Sequence, residues 1–317
     1  MGLQPIFDRR AIPAAARESR WMAPDGHPIR RLDWSEPTDT ARGSLLFMPG
    51  RGDAYEKYLE TFEHWRGRGW RVSAADWRGQ AGSGRLGADA ITGHVEDFSS
   101  WVGDLAALWR AWASERSGPL VLAGHSMGGH LALRALAERA LDPCPSALVL
   151  SAPMLDVLPE AWPVALRLGA ARAMCAIGDA RRPAWKWNER PGVLPGFRQA
   201  LLTHDAARYS DELWWREARP ELAVGPGSWG WVRSALASIR ALAAPGVPES
   251  VDLPIFIIAT RADRLVGARA IERAAARLPQ AQILWFGNEA GHELLREVDP
   301  VRDRALAAID GFLEGIA

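Results

Sequence analysis

The segment Gly124-His125-Ser126-Met127-Gly128 follows the short apolar run Pro119-Leu120-Val121-Leu122-Ala123 and leads directly into an alanine- and leucine-rich stretch of helical period. A strand-length apolar run, a turn bounded by glycines and a helix together make a strand-turn-helix unit with a serine at its tip. Both glycines are needed, because a side chain at either would meet the backbone of so tight a turn. The hydroxyl then stands exposed with a helix N-terminus beneath it. Ser126 is therefore the candidate nucleophile, and the flanking strand and helix argue against an ordinary glycine turn.

Such a serine needs a base to take its proton and an acid to orient that base, and in α/β-hydrolases these follow it in the order Ser, Asp or Glu, His. Of the seven histidines, only His204 and His292 lie far enough beyond Ser126 for new strands to intervene. His204 sits among Pro- and Trp-rich segments. His292 comes a few residues after the apolar run Ile283-Leu284-Trp285-Phe286, where a loop leaving the final strand can carry it over the sheet, so it is the expected base. The acid should leave the preceding strand in the same way. Pro254-Ile-Phe-Ile-Ile-Ala-Thr260 suits a parallel strand buried on both faces, and Asp263 follows it. The competing role for Asp263 is to cap a helix starting near Val266.

The chemistry also requires two donors for an oxyanion. The amide of Met127 is one, and the loop Pro49-Gly50-Arg51-Gly52-Asp53, entered from the strand-like Ser44–Met48, offers the amide of Arg51 as the other. An ordinary glycine turn is the alternative for this loop.

These residues belong to an ordered series of blocks. Pro49-Gly50-Arg51 with Glu56-Lys57-Tyr58, Asp76-Trp77-Arg78-Gly79-Gln80 with Ser83-Gly84-Arg85, Gly93-His94-Val95 with Phe98 and Asp104-Leu105, and His125-Ser126-Met127-Gly128-Gly129 resemble the successive motifs of the bacterial lysophospholipase L2 group, which belongs with the monoacylglycerol lipases among the α/β-hydrolases. The resemblance implies a serine hydrolase acting on single-acyl glycerolipids, with Ser126, Asp263 and His292 as its triad. The chain departs from that pattern at Trp77, where histidine is usual, at Pro49, which replaces the His of the monoacylglycerol lipase His-Gly pair, and at Gly103, where a second acid is frequent. The departures leave the triad intact and bear on the head group.

The expected fold is a doubly wound, mostly parallel α/β sheet. Strand candidates near Ser44, Trp70–Ala75, Leu120, Ala147–Ser151, Pro254 and Gln282 alternate with helical segments at 102–114, 127–141 and 301–313, and the turn Pro24-Asp25-Gly26 suggests an edge hairpin. After Pro153 the alternation breaks into proline-punctuated helical pieces. The expected organisation is a core over residues 1–152 and 252–317 with a helical cap inserted at 153–251. Tryptophans cluster in that insertion, and Trp185, Trp187, Trp214 and Trp215 are candidates, with Arg51, for lining the substrate site. Core packing is the competing explanation for each, as it is for Trp65, Trp70, Trp101, Trp109 and Trp112.

Charge is balanced, with 38 basic and 38 acidic side chains and no basic block, so no nucleic-acid partner is expected. The two cysteines, Cys144 and Cys175, suit reduced thiols and cannot alone hold zinc. Gly79–Gly84 lacks the lysine and following helix of a phosphate-binding loop. No metal or organic cofactor is expected. The N-terminal arginines and the lack of a long apolar run suggest a cytoplasmic enzyme, with a peripheral membrane contact through the cap compatible with its lipid substrate. A lysophospholipase is the first expectation, a monoacylglycerol lipase or general carboxylesterase the second. A non-catalytic ligand-binding protein on the same fold is the alternative of a different class.

Overall fold

The computed structural model describes residues 7–34, 41–186 and 196–316. Trp187 and the prolines at 191 and 195 lie outside the described residues.

One sheet of eight strands organises the chain. In chain order the strands are β1 (Ala16–Met22), β2 (Pro28–Trp34), β3 (Gly43–Met48), β4 (Trp70–Ala75), β5 (Leu120–His125), β6 (Ala147–Ser151), β7 (Ile255–Thr260) and β8 (Ala281–Phe286), and across the sheet they run β1-β2-β4-β3-β5-β6-β7-β8. The first two pair as an antiparallel hairpin, β2 joins β4 antiparallel, and every remaining pair is parallel. The hairpin turns at Pro24-Asp25-Gly26, where Gly26 takes φ +84°. Strands β3, β5, β6 and β7 are buried along their whole length, as their unbroken apolar runs require when helices cover both faces. At the edges, β1 and β8 alternate in exposure or stay half-buried.

The helices are α1 (Leu59–Gly67), α2 (Phe98–Ala113), α3 (Met127–Ala137), α4 (Val164–Ala176), α5 (Gly196–Leu202), α6 (Ala206–Ala218), α7 (Trp229–Leu242), α8 (Ala268–Ala275) and α9 (Asp299–Glu314). Trp65, Trp70, Trp101, Trp109 and Trp112 are all fully buried between these layers. Three of them keep their indole N–H groups satisfied in the core: Trp101 donates to Arg78 O, Trp109 to Pro143 O and Trp112 to Ser73 Oγ.

From β6 to β7 the chain passes through α4, α5, α6 and α7, and its described residues add no strand to the sheet. Helix α7 is tied to the core, since Ser234 Oγ accepts from the Phe98 amide at 2.7 Å and His130 Nε2 meets Ser238 Oγ at 2.6 Å. Cys144 and Cys175 are unpaired. Among the described residues, no helix is long and apolar enough to cross a membrane, and no group of three or more His, Cys, Asp or Glu side chains is arranged to hold a metal ion.

Candidate active site

Strand β5 ends at His125 and α3 begins at Met127, which leaves Ser126 alone at the bend with φ +52° and ψ −115°. A non-glycine residue held there costs about 1–3 kcal/mol, so the surroundings must over-determine it. They do: the Ser126 amide donates to Ser151 O at 2.9 Å, and the Ser126 carbonyl accepts from the amides of His130 and Met154. The glycines are a steric necessity. A Cβ on Gly124 would lie 2.7 Å from the Gly128 carbonyl carbon, and one on Gly128 would lie 2.2 Å from Met48 O. From Leu120 to Ala135 only Ser126 and Arg134 are not buried.

Asp263 and His292 meet. His292 Nδ1 donates to Asp263 Oδ2 at 2.7 Å, and both side chains are almost wholly buried. The other oxygen, Oδ1, accepts from the amides of Leu265 at 2.8 Å and Val266 at 2.9 Å. The two roles weighed for Asp263 are thus not exclusive, because one oxygen fixes the turn and the other orients the imidazole. The following helix, α8, starts slightly later than expected, at Ala268.

Burial raises the Asp263 carboxyl, but the imidazole and the two amides outweigh it and leave its pKa below the usual value. Burial likewise works against a charged His292, yet Asp263, with Glu293 and Asp53 behind it, raises the imidazole above its usual value. Each group thus favours the charged form of the other. His204, the other candidate, is half-exposed and pairs with Glu297 at 2.9 Å.

His125, next to Ser126 in the chain, also neighbours His292. A Cβ built on Gly50 would sit 3.2 Å from Ser126 Cβ and 3.1 Å from His125 Nδ1, and the His125 ring centroid is 4.8 Å from that of His292. The Ser126 hydroxyl makes no hydrogen bond among the described residues.

The chain from Met48 into the loop Pro49–Asp53 lies against the first turn of α3, close enough that a Cβ on Gly128 would fall 2.5 Å from Pro49 O. Its conformation is pinned on both sides of Arg51: the Gly50 amide donates to Asp53 Oδ2 at 3.2 Å and the Gly52 amide to Gln80 Oε1 at 2.9 Å. Trp77, where the resembling group usually has histidine, donates its indole N–H to Pro49 O at 2.7 Å and so braces the same loop. At Gly103 a Cβ would meet nothing within 4 Å. That position lies on an exposed helix face.

The Arg51 side chain reaches the stretch between β6 and β7. Its Nη1 donates to Gly225 O at 2.9 Å, and the guanidinium lies 5.1 Å from the Trp185 ring centroid and 5.4 Å from that of Trp231. Asp53 and Glu56, the acidic side chains near it in sequence, are engaged by Lys57, Tyr58 and His125 and by Arg30 and Arg219 respectively. Trp214 and Trp215 stack edge to face and engage the N-terminal segment: Trp215 donates to Arg9 O, and Arg10 lies 6.0 Å from the Trp214 ring. Of Trp185, Trp214 and Trp215, the candidates among the described residues, Trp185 is placed beside Arg51, and Trp231, another tryptophan of the same stretch, joins it.

A buried ion cluster behind His292 escaped the sequence reading. Lys57 contacts Asp53 and Glu293 at 2.5 Å each and Glu212, from α6, at 3.0 Å, while Arg296 pairs with Glu293 and Glu212. One signal was available, since Lys57 and Lys186 are the only lysines among 38 basic side chains.

The fold and this geometry define a serine hydrolase of the α/β-hydrolase class. Residues 39–299 match the family model described as serine aminopeptidase, S33, and the chain belongs to that family. It is 32% identical to lysophospholipase L2 of Escherichia coli (strain K12) over 84% of this chain and 79% of that one. Its fold is similar to that of a soluble variant of the monoglyceride lipase of Saccharomyces cerevisiae, with a TM-score of 0.76, 17% identity, and coverage of 100% of this chain and 99% of that one. A thermostable carboxyl esterase from Bacillus coagulans gives 0.74 at 16% identity, covering 96% and 99%.

Proposed function

We propose that this enzyme is a lysophospholipase that cleaves the single acyl ester of its substrate through an acyl-enzyme. Ser126 attacks the ester carbonyl, His292 accepts its proton and passes it to the leaving alcohol, and Asp263 holds the imidazole in the tautomer that leaves Nε2 free to accept. The amides of Arg51 and Met127 receive the oxyanion, at the N-terminus of α3 where the peptide dipoles favour negative charge. Water then attacks the acyl-enzyme by the same route. The observation that carries the chemistry is the strained Ser126 turn on β5 together with the 2.7 Å pair of His292 and Asp263. The choice of lipid rests on the likeness to lysophospholipase L2 across 84% of the chain.

Residues 153–251 are proposed as a cap over this centre. Leu158, Trp162, Leu166, Ile177 and Trp185 are exposed large apolar side chains of that segment, and they supply a surface suited to brief contact with a membrane at which such lipids are found. Arg51, Trp185 and Trp231 form its junction with the oxyanion loop.

Two measurements test the reading. A fluorophosphonate probe should label wild-type enzyme at Ser126; a protein that stays unlabelled would be a ligand-binding member of the fold. Turnover of lysophosphatidylcholine should exceed that of monoacylglycerol with the same chain, and the reverse order would make the enzyme a monoacylglycerol lipase.

A further inference from the structure

Lys57 is buried to within 4% of full enclosure and meets three carboxylates from three separate parts of the chain. Asp53 belongs to the oxyanion loop, where its other oxygen accepts from the Gly50 amide, from Tyr58 OH at 2.7 Å and from His125 Nδ1 at 3.1 Å. Glu293 directly follows His292, and its amide donates to Leu202 O at the end of α5. Glu212 lies on α6 and also pairs with Arg198 of α5 at 2.5 Å and with Arg216 at 2.8 Å. Arg296 closes the cluster against Glu293 and Glu212.

A compact ammonium with three rotatable donors suits three converging carboxylates, whereas a planar guanidinium fork matches one or two. This is the one buried place where a chain that otherwise relies on arginine uses lysine; Lys186 is exposed.

We infer that Lys57 is a positioning residue, whose ammonium ties the oxyanion loop, the His292 loop and helix α6 of the insertion into one unit and sets the net charge facing the imidazole. The inference rests on the proposed roles of Ser126 and His292. The charged groups around that ring are Asp263 in front, Glu293 and Asp53 behind, and Lys57 and Arg296 neutralising the last two; His125 is the neighbouring ring. Removing Lys57 unshields Glu293 and Asp53, which favours imidazolium. Removing Glu212 leaves Lys57 and Arg296 less neutralised, which disfavours it. The two substitutions therefore act in opposite directions on one observable.

The experiment is the pH profile of kcat/KM on a p-nitrophenyl ester for wild type, Lys57→Met, Lys57→Arg and Glu212→Gln, normalised to fluorophosphonate-labelled sites. Lys57→Met should lower plateau turnover about tenfold and move the acid limb up by about half to one pH unit, and Glu212→Gln should move it down. Lys57→Arg should keep the limb of wild type with reduced turnover, because the charge is retained and the fit is not. A cluster that served only folding would lower activity and leave all limbs in place, and that result overturns the inference. Should Lys57→Met fail to fold, Glu212→Gln decides by sign, an unmoved or raised limb counting against. Wild type that does not label would overturn the proposed function and this inference with it, whereas labelling with unmoved limbs overturns the inference alone.

Discussion

His292 and Asp263 are joined through one carboxylate oxygen only, because the second oxygen of Asp263 is committed to the amides of Leu265 and Val266. The aspartate cannot rotate to release the imidazole without abandoning its own turn. The ring is thereby fixed with Nδ1 as donor and Nε2 as acceptor.

Asp263→Asn should accordingly cost turnover out of proportion to any structural change. An amide that presents its NH2 to Nδ1 would force the wrong tautomer, and ester turnover should fall by about four orders of magnitude. Ser126→Ala and His292→Ala should each fall by about four to six, since members of such a unit fail together. Steady-state hydrolysis with thermal melts alongside measures both. Near-normal turnover in His292→Ala, with loss in His204→Ala, would move the base elsewhere.

The raised pKa of His292 places the acid limb of the wild-type kcat/KM profile above the ordinary imidazole value of about 6.5, because the base acts only when neutral. The linked stability has two edges. A raised imidazole contributes stability that is complete below its unfolded pKa and disappears as pH rises through the folded one. The lowered carboxyl of Asp263 contributes stability present above its unfolded pKa and lost as pH falls through the folded one. The pair thus stabilises the fold most between the two unfolded values, from about 4 to about 6.5. Chemical denaturation of wild type and His292→Ala, extended well below and well above that window, should diverge most inside it, and a difference that stays constant from the acid to the alkaline extreme would contradict the assignment.

Glycines separate by what surrounds them. Gly128→Ala would drive a Cβ to 2.2 Å from Met48 O, against backbone that cannot yield, and should destabilise by about 1–3 kcal/mol or more while disrupting the Ser126 turn. Gly103→Ala, on an exposed face of α2 with nothing near, should stabilise by up to about 1 kcal/mol through helix propensity alone. Urea midpoints of the two variants should move in opposite directions. A neutral Gly128→Ala would mean that the contact between α3 and the oxyanion loop is looser than its geometry.

Much of this molecule was legible from local pattern. Strand β4 runs from Trp70 to Ala75 as its apolar run suggested, and β7 follows from a β-branched run that only a two-sided burial explains. The Ser126 turn was legible because strand, glycines and helix are contiguous in the chain, and the pairing of Asp263 with His292 because each follows the end of a neighbouring strand. The Lys57 cluster was not, since it joins positions 53, 57, 212, 293 and 296, and ion pairing leaves no period in a sequence. The tryptophans were equally opaque: Trp214 and Trp215 sit near Trp185 in composition but hold the N-terminal segment, while Trp231, one residue type among many, stands beside Arg51. Hydrophobic pattern marks a side chain for burial without saying against what.

Arg51 offers the sharpest division between two uses of one guanidinium. Its bond to Gly225 O and its position over Trp185 and Trp231 make it a tether between its own loop and the stretch between β6 and β7, so under the proposed mechanism truncation should displace the Arg51 amide from the place where negative charge develops. A displaced donor affects every ester alike. Arg51→Ala should therefore lower kcat on lysophosphatidylcholine and on monoacylglycerol of the same chain length by the same factor, about 10²–10³ at most. A guanidinium that paired with substrate phosphate would behave differently, raising KM for the phospholipid alone, because only that substrate carries the anion. Measuring both substrates on one preparation separates the two, and a loss confined to lysophosphatidylcholine would reassign Arg51 from the loop to the head group.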